Sequence, residues 1–187
     1  MQNIVQIHFT GPINIPSAEA FRNMMLNAIR QNADSIEILL SSEGGDLNSG
    51  FTMYNYIRSC PVPTSVVNMG AVESIAMLPF LGAEKRSAVS NARFLIHNFT
   101  WTFHNAPIDI NRIAEHSESL SADVERYVEI FHERTSGAEC PIDPRVHLTG
   151  PAIVIRNPEA ARAGIINTDF PASPTLSTAS FYERLYK

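Results

Sequence analysis

The stretch that decides the fold class is TSVVNMGAVESI, at residues 64–75. Its first part, residues 64–69, is apolar enough for a strand buried on both faces, which is typical of a parallel sheet. Gly70 is a turn signal, and a helix is predicted over residues 74–81. A strand that enters a helix through a turn of small residues is the repeating unit of α/β folds. We therefore expect a mostly parallel sheet around this strand.

The alternation of strand and helix continues on both sides of this stretch. Further strands are predicted at residues 4–9, 36–40, 93–97 and 164–167. Helices are predicted from Ser17, which can act as the N-cap, after Asp46, at 109–135 and at 158–162. Successive strand–helix units imply βαβ connections with right-handed crossovers. The expected fold class is α/β, in a single domain that spans residues 1–187.

The helix predicted at residues 109–135 is long for a compact unit of this size. Its apolar positions form one stripe, which consists of Ile113, Leu120, Val124, Tyr127, Val128 and Phe131. An apolar stripe on a helix is normally buried against another element. Two arrangements are open: the helix packs along the edge of its own domain, or it buries the stripe against another subunit.

Composition and charge argue against several classes of protein. The chain has 187 residues, 44% hydrophobic and 18% charged, with a net charge of -5; a disordered chain would be poorer in apolar residues and richer in charge. A pI near 5.6 argues against nucleic acid as the main partner, because phosphate binding needs clustered Lys and Arg. No apolar run is long enough to span a membrane, and residues 1–10 do not resemble a signal peptide. The expectation is a soluble, cytoplasmic protein.

Cysteine and histidine usage predicts neither a disulfide framework nor a metal site. Cys60 and Cys140 would need more partners at closer spacing for either role. The histidines other than His97 have no partners at metal-ligand spacing. We therefore expect no metal and no other cofactor. The tail at residues 171–187 is rich in Ser, Thr and Pro and is expected to be irregular for most of its length.

Two turns of small residues carry the candidate chemistry. Gly44-Gly45 follows the second strand and residues 70–74 follow the third, at the sheet edge where parallel α/β folds bind ligands. Ser74 is expected at a helix N-terminus. The backbone N–H of Ile75 beside it and that of Gly45 across the gap could together form an oxyanion hole. His97 ends an apolar strand. A nucleophile, a base and oxyanion donors are what acyl transfer requires.

Each of these residues also has a structural interpretation that the sequence leaves open. Gly44-Gly45 can be a simple turn, Ser74 a helix-capping serine, and His97 a structural strand-end histidine. Two other motifs are excluded. The nucleophile elbow of α/β-hydrolases would need glycines two residues before and after Ser74, and a phosphate loop would need G-K-[ST] after the glycines.

Several segments, in the right order, resemble the proteolytic subunit of the Clp protease, within the Clp-protease/crotonase fold group. Residues 41–46 (SSEGGD) resemble the family's S-P-G-G segment, residues 69–75 (MGAVESI) its M-G-x-A-x-S-M segment, and residues 93–97 (RFLIH) its R-[VF]-[ML]-I-H strand. Residues 109–135 match its long handle helix, and residues 158–166 (PEAARAGII) its closing segment. The resemblance implies a Clp-protease/crotonase-like fold of repeated βαβ units with a protruding handle helix.

The resemblance also implies roles for individual residues. Ser74 would be the nucleophile of a serine endopeptidase, His97 the general base, and the N–H groups of Gly45 and Ile75 the oxyanion hole. Residues 98–106 would be the strand that pairs with an extended peptide substrate. The domain would divide into a head at residues 1–97 and 138–170, a handle at 98–137 and a tail at 171–187.

Assembly and partners are implied by the family in the same way. Its members form two stacked seven-membered rings around a chamber, held together through the handle helices. The apolar stripe from Ile113 to Phe131 is then expected to be buried between subunits. The substrates would be short peptides or unfolded protein chains. Whether the chain works with an ATPase unfoldase stays open, because the first strand is predicted so early that the family's pore segment is not expected.

Departures from the family pattern bear on activity. Where the family has its triad aspartate, the ungapped alignment places Ala152, and Asp143 in a nearby loop is the alternative carboxylate. Without an orienting carboxylate, the histidine of a serine protease loses its fixed tautomer and several orders of magnitude in rate. In addition, Glu43 replaces the family proline, and Glu73 places a carboxylate beside the nucleophile.

Two further functions therefore stay open at this point. One is a catalytically silent family member that serves as a ring-forming subunit, which the absence of the aspartate favours. The other is a crotonase-like acyl-CoA enzyme, which uses the same kind of oxyanion hole. A serine–histidine pair has no necessary role in that chemistry, and the chain is short for that family.

Overall fold

The computed structural model describes residues 3–100 and 109–170. In these ranges one sheet contains β1 (Ile4–Thr10), β2 (Ser35–Ser42), β3 (Thr64–Glu73), β4 (Lys85–Ala88), β5 (Arg93–Ile96) and β6 (Ile153–Arg156). The strand order is β1-β2-β3-β5-β6, and β4 also pairs with β3. All pairings are parallel except the one between β5 and β6. The predicted α/β class with a mostly parallel sheet is confirmed.

Strand β3 is the centre of the sheet and has two partners on the edge that faces away from β2. Residues 65–68 pair with β4, and residues 71–73 pair with β5. On the other edge, the register between β2 and β3 shifts between Leu40 and Ser42, and such irregularities bend a strand. Because β5 pairs with its second half, β3 continues through Gly70 to Glu73, beyond the predicted end at residue 69.

The helices are α1 (Ile15–Arg30), α2 (Leu47–Arg58), α3 (Met77–Gly82), α4 (Ile110–Arg134), α5 (Pro144–Leu148) and α6 (Asn157–Arg162). The prediction that Ser17 caps the first helix is wrong. Asn14 is the N-cap: its Oδ1 accepts from the Ser17 backbone N–H at 2.9 Å, while Ser17 Oγ accepts from the Asn14 N–H at 2.9 Å. This reciprocal capping box leaves Ser17 inside the first turn.

The closing strand predicted at residues 164–167 is not formed. Gly164 has φ +69, and the N–H groups of Ile165 and Ile166 donate to the Ala160 carbonyl at the end of α6. Ile165 is fully buried nonetheless. Its apolar character therefore reflects burial in a turn, which periodicity alone does not distinguish from a buried strand.

The apolar stripe of α4 is divided between the domain core and the surface. Tyr127, Val128 and Phe131 are buried in the hydrophobic core of the same chain, and the Tyr127 ring contacts Phe99 edge-on at 5.6 Å between centroids. Ile113, near the N-terminal end, is 52% exposed. The expectation that the whole stripe is buried between subunits is thus wrong for its C-terminal half. That half is core because it packs against the sheet-bound elements of its own domain.

Two arginines fasten the C-terminal end of α4 to the head. Arg86, only 4% exposed, donates to the carbonyls of Ile165, Ala83, Arg134 and Gly164 at 2.9–3.1 Å. Arg134 donates to the carbonyls of Leu81 and Ala83 at 2.8 and 3.0 Å. Burial lowers the pKa of Arg86 to about 10. This pKa is still well above neutral pH, so the guanidinium stays protonated. Arg86 thus satisfies carbonyls of buried segments, and it shares the Ala83 carbonyl with Arg134.

Candidate active site

Ser74 occupies a strained turn at the carboxyl end of β3. Its φ is +54°, in the left-handed region that L-residues avoid. A single 3-10 turn at residues 74–76 follows and leads into α3. The Ser74 side chain caps neither helix, and within residues 3–100 and 109–170 its hydroxyl makes no hydrogen bond. The helix-cap interpretation of this serine is therefore not supported, and backbone strain of this kind is concentrated at functional sites.

The Gly44-Gly45 turn lies directly against Ser74. A Cβ on Gly44 would come within 2.8 Å of the Glu73 carbonyl oxygen and 2.9 Å of Ser74 Cβ, and a Cβ on Gly45 would come within 2.1 Å of the Ile13 carbonyl oxygen. Both glycines also have positive φ, +92° and +144°. Only glycine fits a turn that is this close to two other stretches of backbone.

A backbone bridge to residue 13 fixes which groups of this turn are hydrogen-bonded. Gly45 forms a parallel bridge with Ile13, in which the Ile13 N–H donates to Gly44 and the Ile13 carbonyl accepts from the Asp46 N–H. These two bonds leave the N–H of Gly45 itself on the opposite side of the bridge. The Ile75 N–H is 3.3 Å from the ideal Cβ position of Gly44, so the two predicted donors belong to neighbouring stretches of backbone.

His97 follows β5 and is half-buried. Its Nδ1 lies 2.9 Å from the carbonyl oxygen of Asn98. Because a carbonyl oxygen can only accept, this contact places a proton on Nδ1, so that Nε2 is the nitrogen with the lone pair when the ring is neutral. That is the tautomer in which a histidine acts as a base through Nε2. Among the described residues no hydrogen bond joins His97 to Ser74.

Ala152, which the alignment sets at the place of the family's aspartate, directly precedes β6. β5 and β6 are antiparallel with Ile96 opposite Ile153, so one step further along this register sets His97 against Ala152. Asp143 does not fill the gap. Its carboxylate accepts from the Arg145 N–H at 3.0 Å as the N-cap of α5 and lies 3.8 Å from His132 Nε2.

The sequence analysis singled out Glu73 but not its partner. Arg93 Nη2 donates to Glu73 Oε1 at 2.6 Å, and the two side chains are 58% and 13% exposed. The missing information was the register of β3 on β5, which sets Ala71 opposite Arg93 and Glu73 opposite Leu95. With that register, the two residues are diagonal neighbours on one face of the sheet.

Two of the predicted segments lie wholly or partly outside the described residues. Residues 101–108 of the predicted substrate-pairing strand and the tail at residues 171–187 lie outside the described residues. In the part that is described, no group of three or more His, Cys, Asp or Glu side chains is arranged to bind a metal ion. No helix in the same part has the length and apolar character needed to cross a membrane.

Comparison with known proteins identifies the family of the chain. The family model for the Clp protease matches residues 1–168. A Treponema denticola protein, ATP-dependent Clp protease proteolytic subunit 2, is 28% identical over 129 residues, which are 67% of this chain and 64% of the relative. The protein of the same name from Treponema pallidum is 32% identical over 95 residues, 49% and 48% of the two chains. The chain thus spans less than two-thirds of the length of these curated relatives.

A solved structure shows the same fold. A mutant of ClpP1 from Listeria monocytogenes superposes with a TM-score of 0.72 at 24% identity, covering 90% of this chain and 91% of that one. Fold similarity at this level of identity concerns architecture alone. Together with the family model, which covers most of the sequence, these findings show that the chain belongs to the Clp protease family.

Proposed function

We propose that this chain is a serine peptidase that cleaves short or unfolded peptides through an acyl-enzyme. Ser74 Oγ attacks the peptide carbonyl while His97 Nε2 takes its proton; the tetrahedral intermediate then expels the amine, which receives that proton from His97. Water attacks the ester in the same manner, and release of the acid restores Ser74. The N–H groups of Gly45 and Ile75 would stabilise the oxyanion in both steps.

The observation that carries this proposal is the strained, uncapped serine against the double glycine. Ser74 has φ +54° and a side chain that caps neither adjacent helix, and Gly44 approaches it so closely that a Cβ would meet Ser74 Cβ at 2.9 Å. Strain at Ser74 costs about 1–3 kcal/mol, so a purely structural turn would be expected to have glycine or asparagine here. The tautomer that the Asn98 carbonyl selects at His97 supplies the base.

The assembly and setting of this peptidase follow from the family. The chain would form a ring of identical subunits, stacked on a second ring through α4, with the active sites inside the chamber and peptides or unfolded chains as substrates. The exposed N-terminal half of α4, which includes Ile113 at 52% exposure, would supply the handle contact. The proposed head, handle and tail would divide at residues 97, 137 and 170, and the compartment would be the cytoplasm.

One observation favours a second candidate function. His97 has no carboxylate opposite it, because the register places Ala152 there, and no hydrogen bond joins His97 to Ser74 among the described residues. A chain with these features could be a catalytically silent ring subunit. This candidate predicts an intact oligomer with no reactive serine.

Labelling with a fluorophosphonate probe separates the two functions, since the probe modifies only an activated serine. We expect covalent labelling of the wild-type protein at Ser74 and its loss in Ser74→Ala and His97→Ala. Ser49→Ala is the matched control, because Ser49 is also a buried serine in the first turn of a helix, and it should label like wild type. Hydrolysis of a fluorogenic peptide should follow the same order.

The opposite result would reject the peptidase. If an oligomeric wild-type preparation is not labelled and cleaves no peptide, the silent subunit is the correct function. If labelling persists in Ser74→Ala, the nucleophile is another residue.

A further inference from the structure

An ion pair joins the two strands that carry the proposed nucleophile and base. Glu73 ends β3 and immediately precedes Ser74, and Arg93 begins β5, which leads to His97. Arg93 Nη2 donates to Glu73 Oε1 at 2.6 Å. Charge-assisted hydrogen bonds of this length are stronger than neutral ones.

The backbone ladder between these strands is short, so this contact matters for their alignment. It has three residue pairs, from Ala71 opposite Arg93 to Glu73 opposite Leu95. Fully buried Asn68 adds a bond from its Nδ2 to the Arg93 carbonyl at 2.9 Å. Arg93 is therefore bonded to β3 through both its backbone and its side chain.

The charges around Arg93 favour a persistent pair. The Glu73 side chain is 13% exposed, and a carboxylate with so little access to water is costly unless it is paired. On its other side, Arg93 lies opposite Arg156 of β6, and like charges at opposed positions repel. Glu73 is thus the group that compensates the positive charge at this end of β5.

We propose that Glu73 and Arg93 are positioning residues that act as one unit and set the separation between Ser74 and His97. The inference rests on the proposed peptidase function. Proton transfer from Ser74 to His97 depends on their geometry, and a misplacement of about 1 Å can lower a rate roughly 100-fold. Neither side chain is assigned a direct role in bond making or breaking.

A double-mutant cycle tests whether the pair acts as a unit. The variants are Glu73→Gln, Arg93→Gln and the double variant, with kcat, KM and the probe-labelling rate as readouts. We expect each single variant to lose roughly tenfold or more in kcat with little change in KM, and the double variant to lose no more than the worse single. Arg93→Lys, which keeps the charge, should retain more activity than Arg93→Gln.

The matched control is the Arg126–Asp123 pair. It is 2.9 Å long with side chains 50% and 11% exposed, close to the values for Arg93 and Glu73, but it lies within α4 and joins no two strands. Asp123→Asn should leave kcat within about twofold of wild type. Rates are measured well below the unfolding midpoint of each variant, so that lost stability alone does not change them.

Three results would count against this inference, and they are distinguishable. Single variants within twofold of wild type would show that the pair does not position the site. Losses that multiply in the double variant would show that the two residues act independently. A wild-type protein that neither labels nor cleaves peptide would reject the proposed function itself and this inference with it.

Discussion

Placing a carboxylate at position 152 should restore what the family's aspartate supplies. The register that sets Ile96 against Ile153 puts Ala152 opposite His97, and opposed residues of an antiparallel pair have Cβ atoms about 4.5–5.5 Å apart. An aspartate side chain spans that separation and reaches the imidazole. The variant Ala152→Asp is therefore expected to bond His97 Nδ1 in place of the Asn98 carbonyl.

The size of the effect follows from what is already present. Loss of the aspartate from a complete triad costs about 10⁴-fold in kcat, but here the Asn98 carbonyl, 2.9 Å from Nδ1, already selects the useful tautomer. The carboxylate would add mainly the stabilisation of the imidazolium. A hydrogen bond to a charged group contributes about 1.5–3 kcal/mol, which corresponds to a gain of roughly 10- to 150-fold in kcat.

Steady-state cleavage of a fluorogenic peptide by the wild-type protein and the Ala152→Asp variant measures this gain in kcat.

Ala152→Asn controls for shape without charge and should not show this gain in kcat. The reasoning is refuted if Ala152→Asp is no faster than Ala152→Asn.

Three further predictions concern the scaffold. Arg86→Met should lower the free energy of unfolding by about 3–5 kcal/mol, because four carbonyls lose a charged donor; Arg86→Lys should lose less, and equal losses in urea titrations would contradict this. Gly44→Ala should abolish probe labelling, since its Cβ would meet the Glu73 carbonyl oxygen at 2.8 Å. Gly11→Ala is the control: Gly11 also has a positive φ, +101°, but open space around it, so this variant should lose only about 1–3 kcal/mol in the free energy of unfolding and keep labelling. Arg145 lowers the pKa of the Glu125 carboxyl, so the contact between α4 and α5 should hold above the ordinary glutamate pKa and be lost as pH falls through the lowered value; an NMR titration of Glu125 with no such shift would exclude the pair in solution.

Local pattern was sufficient for most of the fold. Alternating strand and helix signals predicted the parallel sheet, and periodicity predicted α4. It failed at residues 164–167, where an apolar run fills the core from a turn, and at Ser17, where Asn14 provides the cap instead. The first error arises because burial depends on contacts that a short window of sequence does not contain. The second is local: Asn14 and Ser17 are both good capping residues three positions apart, and the reciprocal capping box gives the cap to Asn14.

The candidate site was predictable in its residue types but not in its connections. Gly45, Ser74 and His97 follow from strand-end positions and the family resemblance. The Glu73–Arg93 bond and the Asn98 carbonyl at His97 could not be predicted, because each depends on strand register or loop conformation. The division of the α4 stripe was also beyond the sequence, since an amphipathic pattern does not say which partner covers each half.

The forked pairing of β3 limits which insertions and deletions this chain can accept. Because its first half is bonded to β4 and its second half to β5, a single inserted residue near Gly70 would break one ladder or the other. It would also turn every side chain beyond it to the opposite face of the sheet, Glu73 included. Length variation among natural homologues should therefore be absent between Asn68 and Ser74. It should accumulate instead in connections that carry no ladder, such as residues 135–143 between α4 and α5.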